Sequence, residues 1–281
     1  MAFIQKWYAK LTVMVLIVIF LAPHLAFGLT VKEEEDLSRK VMNAILSHYE
    51  FVDDPIVVEY INSIGNELVA FVPDKLFTYH FYVVKADEFN AFATPAGHIF
   101  VNSGLLMAME SEDELAGILA HEIAHVYCRH ISQRIERSKK IGYATLAGIA
   151  AGVLAGIAGS PEAASAITMG SQAAGVSAEL AYSRENELQS DQLGVEHMND
   201  AGYSAAGLLK ILKKMRSQSW FGSEVIPTYL MTHPAVEDRI AYVGSWLASH
   251  PENAALQSDT IDPKFERAHT LVLTRYGDED V

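Results

Sequence analysis

Residues 121–125 read His-Glu-Ile-Ala-His, and this HExxH pentad constrains the fold more than any other feature of the chain. Two histidines four positions apart lie on one face of an α-helix, about one turn from each other. Their imidazole nitrogens can then bind one Zn²⁺, and the neighbouring Glu122 can act as general base on a metal-bound water. The pentad therefore predicts a metal-binding helix with His121 and His125 as ligands.

The helix that carries the pentad has a recognisable start. Ser111 and Glu114 match a capping box, in which a serine N-cap is followed three residues later by a glutamate. The residues that follow are strongly apolar: Leu115, Ile118, Leu119, Ala124 and Val126. We therefore expect the body of this helix to be largely buried.

A catalytic zinc ion usually takes three protein ligands and a water, so the pentad needs a third partner. One known extension places a glycine and a third histidine at fixed steps after the pentad, but Cys128 and Ile131 occupy those positions. A better candidate is Glu187, which would complete a His₂Glu site from a second predicted helix. Asp191 lies four residues later on the same face and could accept the other N–H of a zinc-bound histidine. Taken alone, both acids would be interpreted as ordinary surface residues; beside HExxH, the ligand interpretation is favoured.

Three residues close to the pentad are weaker candidates. Cys128 is the only cysteine, which excludes an intramolecular disulfide. A thiolate ligand is conceivable there, but a free cysteine behaves mostly as a small buried apolar residue. For Arg129 and His130 we expect hydrogen bonding within the helix bundle rather than catalysis.

The first 28 residues have the pattern of a secretory signal peptide. Two lysines precede an apolar run over residues 11–22, and residues 26–28 offer small side chains for cleavage after Gly28. An uncleaved membrane anchor is the alternative. We expect an exported protein, with the periplasm as its location and a mature domain over residues 29–281.

The charge of the chain excludes one class of function. Removal of residues 1–28 takes away two lysines and no acid, so the formal charge changes from −14 to −16. Phosphate binding needs clustered Lys and Arg, so nucleic acid is not expected as a partner. No pattern in the sequence bears on the oligomeric state.

Hydrophobic periodicity predicts a mainly helical chain with a small sheet. The predicted helices cover residues 31–50, a stretch from Pro55, and residues 183–200, 204–218 and 235–249. The predicted strands cover residues 77–84 and 98–101. Beyond Pro251 only a short apolar run over residues 271–273 stands out.

Residues 141–159 consist almost entirely of Ala, Gly, Ile, Leu and Val. Gly148, Gly152 and Gly156 repeat every four residues, a spacing that lets helices pack closely in a core or in lipid. We favour a helical insertion near the cleft over residues 141–180. Contact with a membrane through residues 141–158 is the alternative.

Taken together, these motifs resemble the M48 family of gluzincin metallopeptidases, and the chain is similar to its single-domain exported bacterial members. Ala96 and Ser190 stand where the family commonly has glycine and alanine, and neither is a proposed ligand. Four segments carry the resemblance: residues 90–101 (NAFATPAGHIFV), residues 121–130 (HEIAHVYCRH), residues 183–191 (SRENELQSD), and His233-Pro234 with residues 238–240 (DRI).

The resemblance implies one zinc ion per chain on His121, His125 and Glu187, with Glu122 catalytic. It also implies an active-site role for His233, which either approaches the zinc and restrains activity or stabilises the oxyanion. The expected fold class is α+β: a mainly helical zincin-like domain with a small sheet whose edge strand borders the zinc cleft. We expect the substrate backbone to add as a strand beside residues 96–101.

The first hypothesis is therefore a zinc endopeptidase that hydrolyses unfolded or misfolded exported and envelope proteins. A second is a zinc-containing chaperone or assembly factor with little proteolysis, motivated by the Gly/Ala-rich residues 141–180. The intact Glu122 argues against it, because a structural site needs no general base. A third is a peptidase anchored in the membrane by residues 11–22 and 141–158.

Overall fold

The computed structural model describes residues 29–137, 183–220, 227–256 and 261–277. This part of the chain is mostly helical with one small sheet, as the sequence predicts. The helices are α1 (Val31–His48), α2 (Pro55–Ala70), α3 (Ser103–Met107), α4 (Glu112–Tyr127), α5 (His130–Arg137), α6 (Arg184–Ala201), α7 (Ala206–Trp220), α8 (Thr228–Thr232), α9 (Val236–Ser249), α10 (Pro251–Ala254) and α11 (Pro263–Tyr276). The strands are β1 (His80–Val84), β2 (Ala91–Thr94) and β3 (His98–Asn102), and a 3₁₀ turn (Pro95–Gly97) joins β2 to β3.

Two of the sequence predictions lie outside the described residues. These are the signal peptide over residues 1–28 and the Gly/Ala-rich insertion over residues 141–180, with its alternative membrane contact through residues 141–158. Among the helices of the described part, none combines the length and the apolar character needed to cross a bilayer.

The sheet has the strand order β1-β3-β2, with β3 parallel to β1 and antiparallel to β2. The expectation that residues 96–101 form an edge is therefore wrong, because β3 is the central strand and pairs on both sides. The edge on this side is β2, which the turn over residues 95–97 folds back against β3. Ala96 and Gly97 have φ values of 62° and 93° in this turn. A Cβ on Gly97 would lie 2.3 Å from the Thr78 carbonyl oxygen, so glycine is required there.

Strand β1 is shorter than predicted, starting at His80 rather than at residue 77. His80 pairs with His98, the first residue of β3. Residues 77–79 lie beyond the end of the only strand with which β1 pairs in the described part of the chain. Their aromatic and β-branched side chains suit a strand, but the ladder that would hold them ends at His98.

The sheet is packed on both faces, and one of these faces supports the site. Ile99 and Val101 of β3 belong to the main core, which also contains the apolar side chains of α2, α4 and α7. Phe100 points the other way, into a small cluster with Ile45 and Tyr49 of α1. Helix α4 is buried between the sheet, α6 and α7, as its apolar sequence predicts.

The starts of the helices follow from their capping residues. The Ser111 hydroxyl accepts the Glu114 N–H at 3.4 Å, as predicted, but the Glu114 carboxylate pairs with lysines of α7 instead of closing the capping box. Helix α11 is not predicted by the sequence analysis. The sequence does contain the signals for its start, because Asp is preferred at the N-cap and Pro at the first helical position, and Asp262 directly precedes Pro263.

Candidate metal centre

Helices α4 and α6 bring the two histidines of the pentad against Glu187. Gly194 of α6 packs against α4, where an added Cβ would lie 3.4 Å from the His121 backbone nitrogen, an ordinary van der Waals contact. Ligand atoms of His121, His125, Glu187 and His233 all lie within 4.8 Å of one another, and all four side chains are buried. Residues 112 positions apart in sequence thus converge on one point.

The spacing of these atoms suits one small cation. The Nε2 atoms of His121 and His125 are 3.0 Å apart. The Glu187 carboxylate oxygens lie 3.3 Å from the His125 Nε2 and 3.5 Å from the His121 Nε2. Zinc bonds of about 2 Å in a tetrahedron require ligand atoms about 3.3 Å apart. Two imidazole nitrogens and a carboxylate are also the donor types that catalytic zinc prefers, so the residues present fit this metal.

Asp191 lies where the sequence analysis expects it. Its Oδ1 is 2.8 Å from the Nδ1 of His121, so the His121 Nδ1–H donates to Asp191. The lone pair of the His121 Nε2 then faces Glu187 and His125. This hydrogen bond fixes both the tautomer and the ring orientation of His121.

Arg239 also belongs to the site. It lies in the DRI motif of residues 238–240, where the sequence predicted no role for the arginine. Its Nε and Nη2 donate to the two oxygens of Asp191, each at 2.8 Å, and its Nη1 lies 3.0 Å from Glu187 Oε2. The side chain is 1% exposed. A signal was present, because Arg239, Val243 and Leu247 follow at four-residue spacing and form the buried stripe of α9.

The charges in this buried cluster stabilise one another. Burial raises the pKa of Glu187, but the neighbouring His233 and Arg239 outweigh burial and hold that pKa well below its usual value. Burial lowers the pKa of His125 well below its usual value. Glu187 is therefore a carboxylate and His125 a neutral imidazole, the states in which each can bind a metal.

His233 lies within the cluster. Its Nδ1 is 3.2 Å from Glu187 Oε1 and 3.3 Å from the His121 Nε2, and its Nε2 is 3.5 Å from Glu122 Oε1. Tyr229 was missed by the sequence analysis, and its ring stacks on His233 with centroids 4.3 Å apart. The Tyr229 N–H donates to the Phe89 carbonyl at 3.2 Å, which ties α8 to the start of β2.

Glu122 differs from the other acids of the site. It is fully buried, yet neither carboxylate oxygen has a hydrogen-bond partner among the described residues. A buried carboxylate without a partner is costly, so native proteins rarely keep one without a ligand, an ion or an ordered water. The orphaned oxygens of Glu122 fit a general base that meets a metal-bound water.

Of the weaker candidates near the pentad, Cys128 is partly rather than fully buried, and Arg129 and His130 form hydrogen bonds within the bundle as predicted. Burial raises the pKa of Cys128 to about 11, which opposes a thiolate ligand. Arg129 donates to Glu34 at 2.8 Å and to the Leu29 carbonyl, so it ties the start of α1 to the end of α4. His130 is buried and hydrogen-bonded within the bundle.

An HExxH helix packed beside a helix that carries a buried glutamate is the arrangement that the resemblance to the gluzincin metallopeptidases implies. The profile of peptidase family M48 matches residues 55–252. The chain belongs to this peptidase family, which confirms the resemblance inferred from its motifs.

Curated relatives point the same way. The chain is 33% identical over 188 residues to the beta-barrel assembly-enhancing protease of Yersinia pestis, covering 67% of this chain and 38% of the relative. It is 29% identical over 213 residues to the protein of that name from Escherichia coli, covering 76% and 43%. The mitochondrial metalloendopeptidase OMA1 of Schizosaccharomyces pombe is 24% identical over 203 residues, covering 72% and 56%. The chain thus spans less than half the length of these two bacterial relatives.

Proposed function

We propose that this protein is a zinc endopeptidase in which His121, His125 and Glu187 hold the metal and Glu122 is the general base. The observation that carries this proposal is the buried convergence of the three ligands beside a carboxylate that has no hydrogen-bond partner of its own. A structural metal site would have no use for that unpaired carboxylate.

The chemistry divides between the metal and the side chains. When bound, zinc would supply a Lewis acid and lower the pKa of a coordinated water to about 7. Glu122 would accept the proton of the attacking water and could pass it to the leaving amine. Asp191 and Arg239 hold His121 in the tautomer that leaves its Nε2 free for the metal.

The two ring nitrogens of His233 correspond to the two roles that the resemblance implies. Nδ1 lies among the ligand atoms, in the place of a fourth ligand, and Nε2 faces Glu122. This position supports the restraining role directly. We propose that His233 withdraws when substrate enters and then donates to the oxyanion.

Substrate recognition is proposed at the free side of β2 rather than at β3. Within the described residues β2 pairs only with β3, so residues 91–94 leave one row of main-chain groups for a substrate strand. Strand addition recognises the main chain with little demand on sequence, which suits unfolded polypeptide. The relatives named beta-barrel assembly-enhancing proteases support unfolded or misfolded envelope proteins as the substrate class. The leader pattern of residues 1–28 supports export to the periplasm.

The decisive experiment replaces Glu122 with Gln and measures cleavage of an unfolded protein by mass spectrometry. We expect proteolysis to fall about 10²- to 10⁴-fold, because the proton acceptor is lost, while one zinc ion per chain remains bound. Glu112→Gln, on the same helix but outside the site, is the matched control and should cleave normally. Equal cleavage by Glu122→Gln and wild type would sink the proposal. Client protection without cleavage by the wild type would favour the chaperone alternative.

A further inference from the structure

His130 contacts the proposed metal ligand His125, and this contact has no part in the proposed reaction. Its Nδ1 is 3.0 Å from the Nδ1 of His125, and its Nε2 is 2.9 Å from the Gln189 Oε1. The Ser190 hydroxyl lies 3.3 Å from the His130 Nδ1. His130 is 1% exposed, so its contact with His125 is shielded from water, whereas Gln189 lies at the surface.

We propose that His130 is a positioning residue that fixes the tautomer of His125 and so aims the Nε2 lone pair of His125 at the metal. This inference rests on the proposed zinc site. It assigns to this chain a hydrogen-bonded relay that runs from His125 through His130 to Gln189, and thus from the zinc helix α4 to the ligand helix α6.

The direction of the relay follows from what each atom can do. An amide oxygen only accepts, so the His130 Nε2 carries the proton and donates to Gln189. A neutral imidazole has one N–H, which leaves a lone pair on the His130 Nδ1. The Nδ1 of His125, at 3.0 Å, must then be the donor. The remaining nitrogen of His125, Nε2, keeps its lone pair, and it is the one that faces His121 and Glu187.

The two ligand histidines are thereby oriented by partners of different charge. His121 donates to the carboxylate of Asp191, which Arg239 neutralises. Arg239 already pairs with both Asp191 and Glu187. A second carboxylate behind His125 would add a buried charge without a counter-ion, whereas the neutral ring of His130 accepts the same hydrogen bond without that cost.

A bend in the chain makes the contact. In an uninterrupted helix, a residue five positions after His125 would lie about 140° around the axis and could not meet it. The left-handed conformation of Arg129, with φ at 55°, ends α4 and starts α5 in a new direction. Arg129 is held there by Glu34 and the Leu29 carbonyl, so α1 supports the geometry of the relay.

The test measures the zinc dissociation constant by chelator competition, together with thermal unfolding of the metal-free protein. His130→Phe keeps the ring and removes the acceptor, and we expect zinc binding about 10- to 100-fold weaker. His130→Asn places an amide oxygen near the position of Nδ1, and we expect it to recover most of that loss. The control is His197→Phe, which makes the same exchange at a different buried histidine, on α6. It should leave zinc affinity unchanged.

A second pair of variants, at Gln189, tests the relay even if the His130→Phe protein fails to fold. Gln189 is exposed, so Gln189→Lys should fold. The lysine places a hydrogen-bond donor opposite the His130 Nε2. This favours the His130 tautomer that carries its proton on Nδ1 instead of Nε2. We expect weaker zinc binding in Gln189→Lys and unchanged binding in Gln189→Glu, which keeps an acceptor. Wild-type affinity in a folded His130→Phe, or in Gln189→Lys, would overturn the relay. A wild type that binds no zinc would instead overturn the proposed function.

Discussion

Helix α4 contributes a fully buried glutamate to each of two groups of charged side chains, and the two groups are balanced differently. Near its start, Glu114 is fully buried and lies 3.0 Å from Lys210 and 3.2 Å from Lys214. The same two lysines lie 2.8 and 3.0 Å from Glu110. Two carboxylates thus meet two ammonium groups, and the first group is neutral within the protein.

The second group, two turns further on, is not balanced by the protein. Glu122, Glu187 and Asp191 bring three carboxylates. Among the described residues, Arg239 pairs with Glu187 and Asp191, and no lysine or arginine pairs with Glu122. A divalent cation would restore neutrality. A buried acid matched by lysines stabilises the fold, whereas a buried acid left unmatched marks the place where a metal and a reaction belong.

The largest effect should come from exchanging one fully buried glutamate in each group. Glu187→Ala removes a proposed ligand, and we expect peptide cleavage to fall at least about 10³-fold, about 4 kcal/mol in the barrier, with zinc affinity lost. Glu114→Ala should lower the free energy of unfolding by about 1–3 kcal/mol, because its paired lysines lose a partner, while the folded enzyme stays active.

Cleavage assays, zinc titration and urea unfolding of both variants separate these outcomes. The contrast between the groups breaks if Glu114→Ala loses zinc binding, or if Glu187→Ala cleaves at the wild-type rate.

The next effect concerns the cations. Arg239→Met leaves Asp191 and Glu187 buried without their counter-ion, so we expect the metal-free protein to lose about 3 kcal/mol of stability. Lys214→Met should cost about 1 kcal/mol or less, because Lys210 remains and water reaches the site. Urea unfolding in the presence of a chelator measures both. Equal losses would show that the two groups do not differ in how they depend on their cations.

The smallest effect is a pH dependence of the first group. Hydrogen bonds from Lys210 and Lys214 lower the pKa of Glu110 from 4.5 to about 2. Because the pKa of Glu110 is lower in the folded state, its ionised carboxylate stabilises the fold at pH values above 4.5, the pKa in the unfolded chain. This contribution disappears as the pH falls from 4.5 towards 2. The side chain is 62% exposed, so screening keeps the contribution well below about 1 kcal/mol.

The measurement compares the unfolding free energies of wild type and Glu110→Gln at neutral pH and near pH 2. The small advantage of the wild type should be present at neutral pH and absent in acid. An advantage that grows in acid would contradict the pairing with the lysines.

Local patterns predicted the parts of the site that lie within single helices. His121 and His125 share a face because they are four residues apart on α4, and Glu187 and Asp191 share one on α6 for the same reason. Helical spacing is a short-range property, so the sequence shows it directly. The sequence does not show which faces meet.

Three features that the sequence did not reveal follow chain reversals at non-glycine residues in the left-handed region. Ala96 precedes the fold-back that makes β3 central, Arg129 turns His130 towards His125, and Ala235 starts the helix that carries Arg239. This conformation costs a non-glycine residue roughly 1–2 kcal/mol, so local preference does not predict it. It persists because surrounding contacts hold it, as Glu34 and Leu29 do for Arg129.

The sequence by itself thus determined the family, the α+β class and the residue types expected at the metal, because HExxH and the Glu187-Asp191 spacing are local features with few other uses. The tertiary structure decided which strand forms the edge, that Arg239 is the cation bridging Asp191 and Glu187, and that Glu122 has no hydrogen-bond partner among the described residues. Those outcomes depend on distances between residues far apart in the chain, and such distances exist only once the helices have packed.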